Sequence, residues 1–251
     1  MENNNREEVI FGINPVKEAL RGTREAFELF VVDKASDQRI ERLERMAQEK
    51  NIPVRKRKRS DLLKLCGTDR NQGVVLRIQA FAYSDFEIAM EAWRSTGEPG
   101  LFVVLDEIQD PYNLGAIIRT AACTGVNGVI IPKDRAARVT AIVEKAASGA
   151  TETVPVIQIT NISIMLEEFK KDGFWIYGGD PVSQDSLYQL DLKGNVVIVI
   201  GNEGQGIRPL VCKKCDGMFS IPLLGGVESL NASVAAGVTL FEVVRQRVIA
   251  S

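Results

Sequence analysis

Val196-Val197-Ile198-Val199-Ile200 is an unbroken run of apolar, β-branched residues that stops at a glycine, Gly201. A half-buried strand alternates apolar with polar residues, so an unbroken run predicts a strand buried on both faces, as in a parallel sheet. Leu101-Phe102-Val103-Val104-Leu105 repeats the pattern. Between these two, expected strands at Gly128 to Pro132, Val154 to Ile159 and Phe174 to Tyr177 alternate with expected helices at Ala116 to Cys123, Val139 to Ala147 and Ile162 to Lys171. The alternation predicts an α/β fold, a doubly wound, mostly parallel sheet with helices on both faces. Such sheets bind ligands beyond the C-terminal ends of their strands.

Glycine concentrates at two of those ends. Gly201-Asn202-Glu203-Gly204-Gln205-Gly206 places three glycines and one carboxylate in six residues, which lets the backbone take positive φ and come close to a ligand. A strand expected from Met218 to Leu223 runs into Leu224-Gly225-Gly226-Val227-Glu228, and Ser229-Leu230-Asn231 leads into a long apolar helix. Two glycine loops are thus expected at one place. Ser229 and Asn231 are each plausible N-caps of that helix, a role that needs no ligand. The loop after Leu105 has no G-x-G-x-x-G and the chain has no G-x-x-x-x-G-K-[ST], so the glycines do not advertise a dinucleotide or a nucleoside triphosphate.

The chain contains no histidine, which removes Ser-His-Asp and Cys-His nucleophilic systems and most catalytic metal sites. Acid–base work must fall to Asp, Glu, Lys, Arg, Tyr or Cys. Among the cysteines only Cys212-Lys213-Lys214-Cys215 has metal-like or redox-like spacing, and a structural zinc site would be short of ligands. No metal is expected, and the pair reads as two residues one turn apart on a helix. No apolar run is long enough to span a bilayer, and MENNNREEVIF lacks a signal peptide's basic-then-apolar order, so a cytoplasmic location without membrane contact is expected.

Charge is unevenly placed. Residues 1–80 hold 17 Lys and Arg against 13 Asp and Glu, whereas the rest holds 14 against 20. The focus is Arg55-Lys56-Arg57-Lys58-Arg59. Five like charges in a row suit a solvated face or strand edge, and equally a surface that contacts phosphates. Around that run lie expected strands at Val9 to Gly12, Phe27 to Val32 and Gln72 to Ile78. Expected helices are one opened by Asn14 as cap with Pro15 at its first position, an amphipathic one from Asp37 to Lys50, and one from Ser60 to Leu65. The pattern divides the chain into a small α/β domain over 1–80, a linker over 81–100 with one short helix and a flexible tip, and a second domain over 101–251.

Three ordered stretches carry a resemblance. Asn113-Leu114-Gly115-Ala116-Ile117-Ile118-Arg119-Thr120-Ala121, Ile200 through Gly206, and Ile221-Pro222-Leu223 with Ser229-Leu230-Asn231-Ala232-Ser233-Val234-Ala235 resemble the three motifs of the SpoU/TrmH family of RNA ribose 2′-O-methyltransferases, in the SPOUT superfamily. Residues 146–155 and 240–247 are similar to its bacterial 23S rRNA guanosine 2′-O-methyltransferase branch, and residues 8–80 to that branch's small substrate RNA-binding domain. The resemblance implies a homodimeric enzyme dependent on S-adenosylmethionine (SAM), with a deep trefoil knot in the second domain. It implies that Gly201, Ile221 and Leu230 line the SAM pocket and that Asn113, Arg119, Glu203, Ser229 and Asn231 form the active site. The acidic Glu228 loop, and Arg70 and Asn71 where the branch often has a histidine, depart from its pattern. Two other readings are a tRNA ribose methyltransferase of the same superfamily and a non-catalytic RNA-binding protein with the fold.

The implied chemistry asks the protein for position rather than covalent help, because the sulfonium is already an activated methyl donor. Arg119 is the expected catalytic centre: a guanidinium stays protonated in proteins, which suits it to hold the adjacent phosphate and stabilise a developing alkoxide. A helix-surface salt bridge is its alternative role. Glu203 would orient Arg119 or the ribose, and Asn113, Ser229 and Asn231 would supply hydrogen bonds. Arg55, Lys56 and Arg57 are the expected RNA contacts of the first domain.

Overall fold

The structure, a computed structural model, describes residues 7–33 and 37–249, and these form two compact units. The first unit holds β1 (Glu7–Phe11), β2 (Ala26–Val32), β3 (Val54–Arg57) and β4 (Val74–Gln79), in the order β1-β4-β2-β3. Strands β2 and β3 pair parallel and the other pairs antiparallel. Residues Leu29, Val31, Leu76 and Ile78 turn one sheet face toward α1 (Ile13–Arg21) and α2 (Gln38–Glu49), burying Val16, Leu20 and Leu43. The other face carries α3 (Arg59–Cys66) over a smaller cluster of Phe30, Leu62 and Val75.

Two local readings change here. Helix α1 starts at Ile13 with Gly12 at the cap, φ 91°, instead of with Asn14. A residue distant in sequence does the capping, since the Ile13 N–H donates to Oε1 of Gln72 at 2.9 Å. The basic run is also divided. Arg55 and Arg57 pair with Phe30 and Val32 of β2 while Lys56 pairs with Val31, so the pleat sends Arg55 and Arg57 to the α3 face and Lys56 to the opposite one. Arg55 is ion-paired to Glu28, which also meets Arg77 at 3.3 Å, and the Arg57 guanidinium lies 6.0 Å from the Phe30 ring centre.

The second unit is built on β5 (Leu101–Asp106), β6 (Gly128–Pro132), β7 (Val156–Ile159), β8 (Trp175–Gly179), β9 (Val196–Gly201) and β10 (Gly217–Phe219). Every neighbouring pair is parallel, in the order β10-β8-β9-β5-β6-β7. The order reverses between β5 and β9, the two unbroken apolar runs, which are buried throughout apart from the half-buried Gly201. Phe102, Val104, Val197 and Val199 pack under α4 (Phe86–Arg94) and α7 (Ile162–Lys171), while α5 (Pro111–Cys123) and α9 (Ala232–Ile249) pack on each other. Helix α8 (Pro209–Cys212) is a single short turn. Among the described residues no helix is long and apolar enough to cross a membrane.

Four further differences have physical causes. The expected linker holds α4, whose Met90 is fully buried and whose Trp93 ring lies 4.6 Å from that of Phe174, so Tyr83 onward belongs to the second unit. Val139–Lys145, including most of α6 (Ala141–Ala147), instead falls in the first unit, where Ala141 joins the core and Lys145 meets Glu18 at 3.0 Å. Helix α5 begins at Pro111, five residues ahead of Ala116, because Asp110 caps it and accepts from the Tyr112 N–H. Strand β10 ends at Phe219, since the Ser220 N–H turns to the Asp185 carbonyl at 2.8 Å and Pro222 has no N–H to offer.

Cys212 is the last residue of α8 and Cys215 lies beyond it, both packed against the core. Burial pushes the Cys215 thiol up to about 12. That end of the sheet is stapled by Arg247 of α9, which donates to the carbonyls of Leu192, Pro99, Gly100 and Gly194 at 2.8–3.3 Å. Arg247→Met leaves those carbonyls without their charged donor, so a loss of about 2–3 kcal/mol is expected. A thermal melt reads it as a fall of about 2–4 °C per kcal/mol, with S-adenosylmethionine affinity unchanged.

Candidate active site and cofactor cavity

Strands β8, β9 and β10 end at a cavity of about 780 Å³, within the ordinary size range of a small-molecule site. Gly201, Ile221 and Leu230, the three residues expected to contact cofactor, all line it, together with Glu203 and Ser229. Its ionisable lining groups are the carboxylates of Asp180, Glu203 and Glu228. A cavity with that polarity fits a ligand bearing a cationic sulfonium.

The wall made by residues 201–206 folds back on itself. The Asn202 N–H donates to the Gly206 carbonyl at 3.1 Å, the Gly206 N–H donates to the Asn202 carbonyl at 2.8 Å, and the Gly204 N–H donates to Oδ1 of Asn202 at 2.8 Å. Gly206 takes φ 68°. A Cβ at Gly201 would overlap Gly206 C and Ile207 N, so that glycine is required by the loop's own closure rather than by approach of a ligand. The second glycine loop is different. A Cβ at Gly225 or Gly226 meets nothing within 4 Å, and Leu224 between them and Leu223 is fully exposed.

Asn113 joins the motifs. It is buried in the first turn of α5, where its Nδ2 donates to Oε1 of Glu203 and its Oδ1 accepts from Nδ2 of Asn231 at 3.0 Å. Asn231 also caps α9, its Oδ1 accepting from the Ser233 N–H at 2.9 Å and the Ser233 hydroxyl at 2.6 Å. The cap is therefore Asn231, and Ser229 stays on the cavity wall. Asn113, Glu203 and Asn231 form one network, with Ser229 beside the same cavity.

Arg119 stands apart from it. Six residues beyond Asn113 on α5, it lies about 120° around the helix. It is exposed and donates from Nη1 to the Ser148 hydroxyl at 3.2 Å. Arg55, Lys56 and Arg57 belong to the first unit.

Asp180 and Thr239 are the polar lining residues outside the stretches singled out in the sequence. Asp180 follows Gly178-Gly179 at the end of β8, a third glycine-marked strand end that could have flagged it. Thr239 is a buried residue in the middle of α9, and nothing in its sequence neighbourhood distinguishes it from a core position.

A parallel doubly wound unit with a self-closed glycine loop over a cavity at the C-terminal ends of its strands defines a class, and comparison with known proteins gives its family. The family model described as SpoU rRNA Methylase family matches residues 100–241, and that for RNA 2′-O ribose methyltransferase substrate binding matches residues 9–84. The chain belongs to the SpoU rRNA methylase family. It is 41% identical to the 23S rRNA (guanosine-2′-O-)-methyltransferase RlmB of Xanthomonas campestris pv. campestris, over 95% of this chain and 96% of that protein. It is 42% identical to the enzyme of the same name from Xylella fastidiosa, over 97% and 98%. The crystal structure of the SpoU methyltransferase AviRb from Streptomyces viridochromogenes in complex with AdoMet shares the fold. It is 24% identical, covers 96% of this chain and 91% of that one, and has a TM-score of 0.62.

The two glycine loops make opposite predictions. Gly201→Ala must displace Gly206 and Ile207, and titration calorimetry is expected to show S-adenosylmethionine binding weakened at least about tenfold, about 1.4 kcal/mol. Gly225→Ala, in open space, is expected to leave affinity within about twofold.

Proposed function

We propose that this protein transfers the methyl group of S-adenosylmethionine to the ribose 2′-oxygen of a guanosine in 23S rRNA. The observation that carries this reading is the Asn113–Glu203–Asn231 network, which reaches the wall of a carboxylate-lined cavity through Glu203. The 23S rRNA substrate is supported by relatives that match along nearly their whole length.

The cofactor supplies an activated methyl group; the residues supply alignment. Gly201, Ile221 and Leu230 hold the cofactor from three segments of the cavity wall. Glu203, fixed by Asn113, and the Ser229 hydroxyl accept and donate hydrogen bonds to the ribose so that its 2′-oxygen lies in line with the methyl. Arg119, exposed on another face of α5, holds the adjacent RNA phosphate and stabilises negative charge as it develops. The first unit captures RNA through phosphates, with Arg57 on one sheet face and Lys56 on the other, while Arg55 is committed to Glu28.

The active form is a cytoplasmic homodimer. Val234, Phe241 and Val248 recur every seven residues along α9 and are about half exposed or more, an apolar stripe that a second copy would cover. The C-terminal part carries the family's trefoil knot. In support, β10 lies outside β8 while α9 returns to pack on α5 and β9, a crossing that such threading produces.

The test is mapping of 2′-O-methylguanosine in RNA from a strain lacking the gene, with purified enzyme restoring the mark in vitro. Loss of a tRNA mark with 23S rRNA intact would overturn the substrate. Arg119→Ala is expected to lower the single-turnover rate by about 10²–10³, with S-adenosylmethionine affinity unchanged. In RNA binding measured against salt, Arg57→Gln and Lys56→Gln are each expected to reduce the slope by about one. Arg55→Gln, already neutralised by Glu28, is expected to change it less.

A further inference from the structure

The loop that walls the cavity is gripped from outside the three motifs. Strand β5 ends at Asp106, whose Cα is in register with Gly201 and whose side chain is fully buried. Its carboxylate accepts from the Arg208 N–H at 2.8 Å, from Nε at 2.8 Å and from Nη2 at 2.7 Å, so backbone and side chain of one residue converge on one group. The next residue, Glu107, holds the other end of the loop: its carbonyl accepts from Nδ2 of Asn202 at 3.0 Å. Its carboxylate meets Nη1 of Arg208 at 3.2 Å and Nε of Arg135 at 2.9 Å.

Glu107 and Arg135 both take left-handed backbone conformations, φ 62° and 58°, and neither is a glycine. Such conformations cost energy and persist where surrounding contacts over-determine them. In Glu107 the conformation lets one residue send its carbonyl to Asn202 and its carboxylate to Arg208. Both ends of an eight-residue loop, 201–208, are thereby fixed to the end of a central strand. Across the cavity, around Gly225 and Gly226, an added Cβ would meet no atom within 4 Å.

We propose that Asp106, with Arg208, is a positioning pair that presets the cofactor-binding shape of the 201–206 loop, an inference that rests on the cavity being the S-adenosylmethionine site. Asp106 touches neither cofactor nor RNA in this role. It fixes where Gly201 and Gly206 present their backbone, whereas Glu203 is held separately by Asn113. Loosening the pair therefore separates cofactor affinity from chemistry.

The test is calorimetry and steady-state kinetics on the full chain with Asp106→Asn and Arg208→Lys. Asp106→Asn removes the charge, and Arg208→Lys keeps charge and backbone donor while losing the planar fork. Asp106→Asn is expected to raise the dissociation constant and KM for S-adenosylmethionine about tenfold, and Arg208→Lys about threefold. Turnover at saturating cofactor should stay within about threefold, and RNA affinity within twofold. A merely structural pair would lower the melting temperature without splitting KM from kcat. Cofactor affinity within twofold of wild type in both variants would overturn the proposal, as would a loss confined to kcat. If Asp106→Asn does not fold, Arg208→Lys, whose side chain is one-third exposed, decides alone. Failure of the wild-type protein to bind S-adenosylmethionine would instead remove the functional reading itself.

Discussion

The Asn113 side-chain amide ties together segments 90 and 118 residues away in sequence, by donating to Glu203 and accepting from Asn231. Only a group with both a donor and an acceptor fits between a carboxylate and another amide donor. An aspartate there would set two carboxylates against each other, and a leucine would leave Glu203 without its charge-assisted bond, worth about 1.5–3 kcal/mol. The helices reinforce the choice. Asn113 stands in the first turn of α5 and Asn231 caps α9, so two helix N-termini bring their positive ends toward the Glu203 carboxylate.

What the sequence revealed was whatever repeats locally. The runs at 101–105 and 196–200 are strands because both their faces are buried, and their composition says so without reference to anything distant. The glycine loop at 201–206 was equally plain, although its reason was not: Gly201 yields to Gly206 and Ile207, contacts set by how the loop closes. The span 81–100 differs from its composition for a related cause. Its tip, Thr96-Gly97-Glu98-Pro99-Gly100, has linker composition, yet Phe86 packs on Phe169 of α7 and Trp93 on Phe174, contacts with residues far along the chain.

The basic run shows the same limit in charge. Along the chain, Arg55, Lys56 and Arg57 look like one patch, but a strand's period of two sends neighbours to opposite faces. Glu28, two residues before Phe30 on the adjacent strand, then neutralises Arg55 and touches Arg77. Linear charge density overstates such a surface whenever a buried carboxylate lies across the ladder. The Arg208–Asp106 pair is the converse case, an interaction across 102 residues for which neither partner's neighbourhood gives a signal.

A chain without histidine running methyl transfer from an activated donor must draw its rate from geometry, and the distribution of rigid and open parts follows from that need. Left-handed conformations at Glu107 and Arg135 cost about 1–3 kcal/mol each. Ion pairs of Arg208 with a fully buried Asp106 and a largely buried Glu107, and of Arg135 with Glu107, hold that backbone in place at one wall of the cavity. The opposite rim, from Leu223 to Glu228, carries exposed Leu224 and Val227 and two unconstrained glycines. A cofactor that must enter, and a product that must leave, requires one side free to move. The left-handed residues Glu107 and Arg135 stand behind the fixed wall, and the rim from Leu223 to Glu228 is the side whose glycines no neighbouring atom constrains.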